Sequence, residues 1–328
     1  MARVKSGSSS PMAILAIAVL LMGLVSQSYA QLSVGFYKNK CGAYDVESEI
    51  YKVVSGFYAT DKTIAAALLR MLFHDAYGGC DASLLLDGPE KSQDNNLSVR
   101  GYNIIDACKS ALEKICPKVV SCTDILVIAT RYSVYLAGGT YYNVETGRRD
   151  ATTSSATTGA NLPGPTIPVS DFVNKMAVRG LSAADTVLLL AGGHTVGIIH
   201  CKFFLPRLYN FKSTGLPDPS INTTTLSFLK KTCPSGGSNN FVYADQTPGS
   251  GLRFDSGYFK AIKMGQGILE IDQRLASDPS TRAIVNYFAT SSDFATLFAG
   301  AVNKLTRYGA LTGTQGQIRT NCHRVNSY

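Results

Sequence analysis

The chain reads as a mainly α protein with little β, on three observations. Apolar residues recur at helical spacing in several long segments, capping signals accompany them, and alternating strand patterns are few. Val46, Ile50, Val53 and Phe57 form the first stripe. ALLRMLFHD follows, and its helical spacing puts Arg70 and His74 on one face. Ile105, Cys108 and Leu112 mark a helix after Arg100-Gly101. Ser182 caps a helix running through Thr186-Val187-Leu188-Leu189, with Asp185 at its third position as in a capping box. Gly180 and Gly192 stand where such helices stop. Phe294, Leu297, Phe298, Val302 and Leu305 predict a late helix started by Ser292-Asp293, and TYYNVET is the best strand. Residues 151–165, 234–240 and 247–251 are Ser/Thr/Gly/Pro-rich loops, the first a boundary between two lobes.

Arg3 and Lys5 precede an apolar run over 12–25, with small residues at Ser28 and Ala30. This predicts a signal peptide over 1–30 and a mature chain over 31–328. The run is short for a membrane span of roughly 20 residues. The net charge is +8, scattered apart from Arg148-Arg149 and Lys230-Lys231. That suits anionic polysaccharide or lipid, and no nucleic-acid signature is present. Eight cysteines in a secreted chain imply disulfides, and no CxxC argues for redox or zinc-ribbon chemistry.

Only four histidines occur, and His74 and His194 both lie in apolar segments, where an imidazole needs a partner or a role. Arg70 and His74 offer a cation and a neutral base to a small polar substrate. In LLLAGGHTVG, His194 is flanked by glycines and a threonine, where a planar ligand can approach the backbone.

RMLFHD, GCDASLLL, NNLSVRGY, CPKVVSCTDILVIATR, GRRD, NLPGP, AGGHTVGIIHC, RLYNF, FDSGYF and IDQRLASD occur in this order. In that order the chain resembles the secreted plant haem peroxidases of class III, from Gln31 to about Asn326. The resemblance implies a two-lobed helical fold sandwiching haem b, with a distal lobe over about 31–160 and a proximal lobe over about 161–328. His194 matches the histidine that binds the iron, and Asp272 the carboxylate that accepts its other ring N–H. His74 matches the base that takes a proton from hydrogen peroxide and returns it to the departing oxygen. Arg70 matches the group that stabilises developing negative charge, and Phe73 covers the haem face. Asn95, by spacing from Arg100, matches the asparagine that accepts the second N–H of His74. Glu90 matches the acid supporting that network and stands with the distal metal residues. Asn96, in the sequon Asn96-Leu97-Ser98, is expected to face outward. It and Asn222 are glycan candidates. Pro163 matches a residue holding small phenolic donors. Phe203 matches an aromatic near the haem edge, with core packing as its other reading.

The resemblance implies two calcium ions. The proximal set is Thr195, Asp245, Thr247 and Asp255, in a loop whose spacing departs from the family's on both sides of the threonine. The distal set is Asp75, Gly79, Asp81 and Ser83, with 79, 81 and 83 facing one ion from an extended loop. That loop is one residue short, so a carbonyl from Tyr77 or Gly78 must replace a ligand. Cys41–Cys116, Cys122–Cys322 and Cys201–Cys233 carry over as bridges. Cys80 and Cys108 remain, as two free thiols or a replacement bridge. Tyr142 stands where the family commonly has tryptophan, and Thr166 replaces an aromatic after the proline pair. The implied protein is a secreted, monomeric peroxidase oxidising phenols in the cell wall. The rival is a non-catalytic wall-binding protein on the same fold.

Overall fold

A computed structural model describes residues 32–237 and 239–327. The expected signal peptide lies outside the described residues. Thirteen α-helices and four short strands make up the described chain, so the mainly α expectation holds.

The N-terminal helices pack around one that is buried nearly all round. α1 (Val46–Thr60), α2 (Ile64–Gly78), α3 (Tyr102–Ile115) and α4 (Cys122–Leu136) pack together, and α4 buries 13 of its 15 residues. A helix with almost no exposed face has to be the centre of its layer. Ser121 caps it, accepting from Asp124 N at 3.1 Å, and Asp150 accepts from Cys122 N and Thr123 N. A carboxylate there also meets the positive end of the helix dipole. GRRD thus serves the scaffold, since Arg148 pairs with Asp124 at 2.9 Å with both side chains fully buried.

α2 buries Leu68, Leu69, Met71 and Leu72 beneath it. Arg70, Phe73 and His74, at i, i+3 and i+4, remain on its less buried face. α5 (Ala156–Ala160) and α6 (Val169–Ala177) follow. α7 (Ala183–Val187) begins with the expected Ser182/Asp185 capping box. It runs into a π-turn, Leu188–Gly192, and then a 3-10 turn, Gly193–Thr195, which carries His194. The helix therefore widens, as at many functional sites, before it ends past Gly192.

α8 (Leu205–Tyr209) and α9 (Thr223–Thr232) lead to α10 (Gly257–Lys263), α11 (Glu270–Leu275), α12 (Arg282–Phe288) and α13 (Phe294–Leu305). α10 and α13 pack against the π-turn below His194. β1 (Ser33–Val34) pairs with β2 (Glu145–Thr146), the end of TYYNVET. β3 (Ile198–His200) pairs with β4 (Phe241–Tyr243), which brings the loop after β4 beside Thr195.

The three expected disulfides are present, and Cys80 and Cys108 are free and buried. The replacement bridge is not formed. Burial pushes the Cys108 thiol up to about 12, and that of Cys80 up as well, so both are poor nucleophiles. Tyr142, at the position where the family commonly has tryptophan, is buried in the core.

Candidate active site

Arg70 and His74 meet on the open side of α2. Arg70 Nε donates to His74 Nε2 at 3.2 Å. His74 Nδ1 lies 2.7 Å from Asn96 Oδ1, while the Asn96 amide nitrogen donates to Glu90 O at 2.9 Å. The second contact orients the amide, so its oxygen accepts from Nδ1–H and Nε2 is left as the basic nitrogen. Burial, and then the charge of Arg70, push the His74 pKa down to about 3 despite the Asn96 bond. At neutral pH His74 is therefore an uncharged base.

The partner of His74 is thus Asn96, correcting the expectation of Asn95. Tight turns over 93–99 turn Asn96 inward, with Asn96 N bonded to Gln93 O and Val99 N to Asn96 O. Asn96 is 2% exposed, so it is also no glycan site. Val99, buried three residues on, is the signal in sequence that marks this inward face. Asn95 is exposed and positions Arg70 instead, its carbonyl accepting from Nη2 at 3.0 Å. Ser98, which the sequence reading did not single out, accepts from Arg70 Nη1 at 3.0 Å. At the other candidate glycan position, Asn222 caps α9 through Thr225 N and donates to Met264 O at 2.8 Å.

His194 faces the same space. Asp272, fully buried, sits 2.9 Å from His194 Nδ1 and also accepts from Tyr258 OH at 2.8 Å. Tyr258 is the second residue that the sequence reading missed. Burial opposes protonation of His194, but the charge and hydrogen bond of Asp272 raise its pKa overall. The positive charge of Arg70 opposes protonation of both His194 and His74, while its hydrogen bond reaches His74. Gly197 brings the two segments together, because a Cβ there would stand 2.4 Å from Ala66 Cβ on α2.

The arrangement fits a haem. Asp272 fixes Nδ1 and leaves Nε2 of His194 as a metal donor, and the Cβ position of Gly193 has no atom within 4 Å. Phe73 packs edge-on to His74, with ring centroids 6.4 Å apart. Phe203 is 40% exposed, so core packing is not its role. It lines a cavity of about 380 Å³ with Pro165, Thr166, Phe211 and Arg274, and Pro163 lies outside this lining.

The distal acids gather behind His74. Asp75, fully buried, accepts from Ala82 N at 3.0 Å and Leu84 N at 3.3 Å. Burial, then the charges of Asp81 and Glu90, raise its pKa. Burial pushes Glu90 up to about 7, and both its buried oxygens lack a well-formed hydrogen bond. Carboxylate oxygens met only by such loose contacts, from Ser83 and the Ser155 backbone, suit a hard cation. The loop is not extended as expected, because Ser83–Leu85 forms a 3-10 turn. The Tyr77 carbonyl accepts from Arg179 Nε at 2.7 Å.

At the other expected cation site, Thr195 and Asp245 are buried, and Thr195 Oγ1 donates to Asp255 O at 2.6 Å. Thr247 is exposed, its backbone N–H donating to Asp245 Oδ1 and its carbonyl accepting from Ser250 N at 3.0 Å. Among the described residues no three His, Cys, Asp or Glu side chains are grouped to hold an ion, so a cation at either place would also need hydroxyls and carbonyls.

Comparison with known proteins agrees with this geometry. The family model for peroxidases matches residues 50–291. Peroxidase 57 of Arabidopsis thaliana is 44% identical, covering 91% of this chain and 94% of its own. Peroxidase 60 of the same plant is 42% identical over 95% and 96%. Peroxidase 15 of Ipomoea batatas is 40% identical over 97% and 99%. A shared helical fold, a carboxylate-backed histidine and an arginine–histidine pair opposite it converge on one conclusion: the chain belongs to the plant haem peroxidase family.

Proposed function

We propose that this haem peroxidase reduces hydrogen peroxide and oxidises small phenolic donors one electron at a time, outside the cell. The observation that carries the reading is the Arg70–His74–Asn96 chain of hydrogen bonds facing His194. When bound through His194 Nε2, the haem supplies the redox chemistry.

The residues supply the proton handling. His74 Nε2 takes the proton from peroxide and delivers it to the leaving oxygen. Asn96 holds the tautomer that makes this nitrogen basic. Arg70, anchored by Ser98 and Asn95 O, presents a fixed positive charge to the departing oxygen. Asp272 orients His194 and makes it electron-rich. Phe73 shields the space beside His74, and the opening lined by Phe203, Pro165 and Thr166 admits the donor.

We assign the lobes to about 31–160 and 161–328, with residues 1–30 removed on secretion. Calcium would bind through Asp75, Gly79, Asp81, Ser83 and Glu90 on the distal side, and near Thr195, Asp245 and Asp255 on the proximal side. The net positive charge suits anionic wall polysaccharide, and the protein would act as a monomer. No described helix is long and apolar enough to cross a membrane. The non-catalytic alternative rests on the shortened loop, and the complete hydrogen-bond chain around His74 weighs against it.

The test is haem reconstitution, followed by peroxide and a guaiacol-type donor. Turnover by the wild type, lost in His74→Ala with haem still bound, is expected. A His74→Ala variant as active as wild type would remove the assignment of the base.

A further inference from the structure

We infer that Ser250, with space left by Gly257, supplies the hydroxyl ligand of the proximal cation site, in place of Thr247. Ser250 is 7% exposed and lies between two carboxylates. Its Oγ is 2.8 Å from Asp245 Oδ2 and 3.2 Å from both oxygens of Asp255. One hydroxyl has one proton, so it satisfies one carboxylate at a time and keeps lone pairs for a cation. Among the described residues neither acid has an ion-pair partner.

The loop explains the exchange. A turn bonds Ser250 N to Thr247 O and Arg253 N to Ser250 O, at 3.0 and 2.7 Å. It turns Thr247 to solvent and Ser250 inward. Gly257 is the independent sign of a cradle. A Cβ there would lie 2.7 Å from Asp245 Oδ2, 2.9 Å from Asp255 Oδ1 and 3.2 Å from Ser250 Oγ. The position borders all three side chains and is bare. Two carboxylates and the hydroxyls of Ser250 and Thr195 are hard oxygens, the donors calcium prefers. The loop also braces His194, because the backbone of Gly197 bonds to Gly251 O at 2.9 Å and Ala244 N at 3.0 Å.

The inference rests on the peroxidase reading only for the identity of the ion. The haem-loaded protein is stripped with a chelator and reloaded with calcium chloride. Bound calcium per chain and melting temperature with and without calcium are then measured for wild type, Ser250→Ala, Ser250→Thr, Thr247→Ala and Gly257→Ala. Ser250→Ala and Gly257→Ala should each bind one calcium fewer, or bind it about 10–100-fold more weakly. They should also lose calcium-dependent stabilisation. Ser250→Thr and Thr247→Ala should match wild type. Should Ser250→Ala fail to fold, Gly257→Ala against Thr247→Ala decides. Three results overturn the inference: Thr247→Ala loses the ion while Ser250→Ala keeps it, Ser250→Ala lowers the melting temperature equally with and without calcium, or the wild type takes up no calcium. Failure of haem uptake or of peroxide turnover, measured separately, overturns the functional reading instead.

Discussion

Replacing Asn96 tests the centre of the proton-handling network. Its side chain makes two hydrogen bonds at 2% exposure, one with His74 Nδ1 and one to Glu90 O. Asn96→Ala leaves the His74 Nδ1–H buried without a partner, while Glu90 O keeps its bond from Gln93 N at 3.2 Å. One such orphan costs about 1–3 kcal/mol, and a loss of that order in stability is expected. The kinetic effect is separate. Losing one oriented hydrogen bond at ~1.4 kcal/mol per factor of ten slows the reaction with peroxide by at least about tenfold. The ceiling is the ~10²–10⁴ attributable to the base itself. Asn95→Ala is the control, because its exposed amide bonds only Gly159 O at 3.2 Å and its carbonyl to Arg70 survives. Asn96→Asp adds a sign. A carboxylate at Nδ1–H raises the His74 pKa from about 3, and a base works only unprotonated, so the acid limb of the rate moves to higher pH. Stopped-flow mixing with peroxide across pH, followed in the Soret band, reads all three. A slow Asn95→Ala beside an unimpaired Asn96→Ala would refute the assignment.

Asp272→Asn should shift the iron reduction potential upward and lower the melting temperature, since both His194 and Tyr258 lose a charged partner. An unchanged potential by spectroelectrochemistry would deny Asp272 that influence. His323 contacts Asp106 at 2.8 Å and Asp87 at 3.0 Å, with Lys91 and the Tyr102 ring nearby. Burial lowers its pKa, but the bonds to Asp106 and Asp87 raise it overall, against Lys91. The resulting stabilisation is full below its unfolded pKa of about 6.5 and lost as pH climbs through the higher folded value. His323→Gln should flatten melting temperature against pH in that window, and an unaltered slope would exclude the contribution. Chelating calcium should slow the reaction with peroxide, because Glu90, whose backbone oxygen holds Asn96, belongs to the distal acid cluster. Equal rates before and after confirmed calcium loss would separate that cluster from His74.

The regular elements were legible because helical spacing is written locally. α2 shows why: its apolar face fixes which side is buried, and Arg70 and His74 then have one direction left. Likewise Ser182 and Asp185 sit three apart and need no distant partner to form their box. Partners separated by many residues were legible only through motif matching. His194 and Asp272 are 78 residues apart, and no period links them.

The failures fell where chain length had changed or turns were tight. Counting from Arg100 placed Asn95 at His74, because counting assigns positions without directions. A turn hydrogen bond from Asn96 N to Gln93 O at 2.7 Å decides which of two adjacent asparagines points inward. The loop of 245–255 follows the same rule. The turn that bonds Ser250 N to Thr247 O leaves Thr247 in solvent, and Ser250 makes the contact with both carboxylates. What such a loop retains is an oxygen at a point in space, held by the carboxylates around it. A sequence position is only one means of delivering that oxygen. In both loops, identity in a motif was therefore a weaker guide than burial. Asn96 and Ser250 are enclosed where Asn95 and Thr247 are exposed, and a polar side chain enclosed in a folded chain must have its hydrogen bonds met.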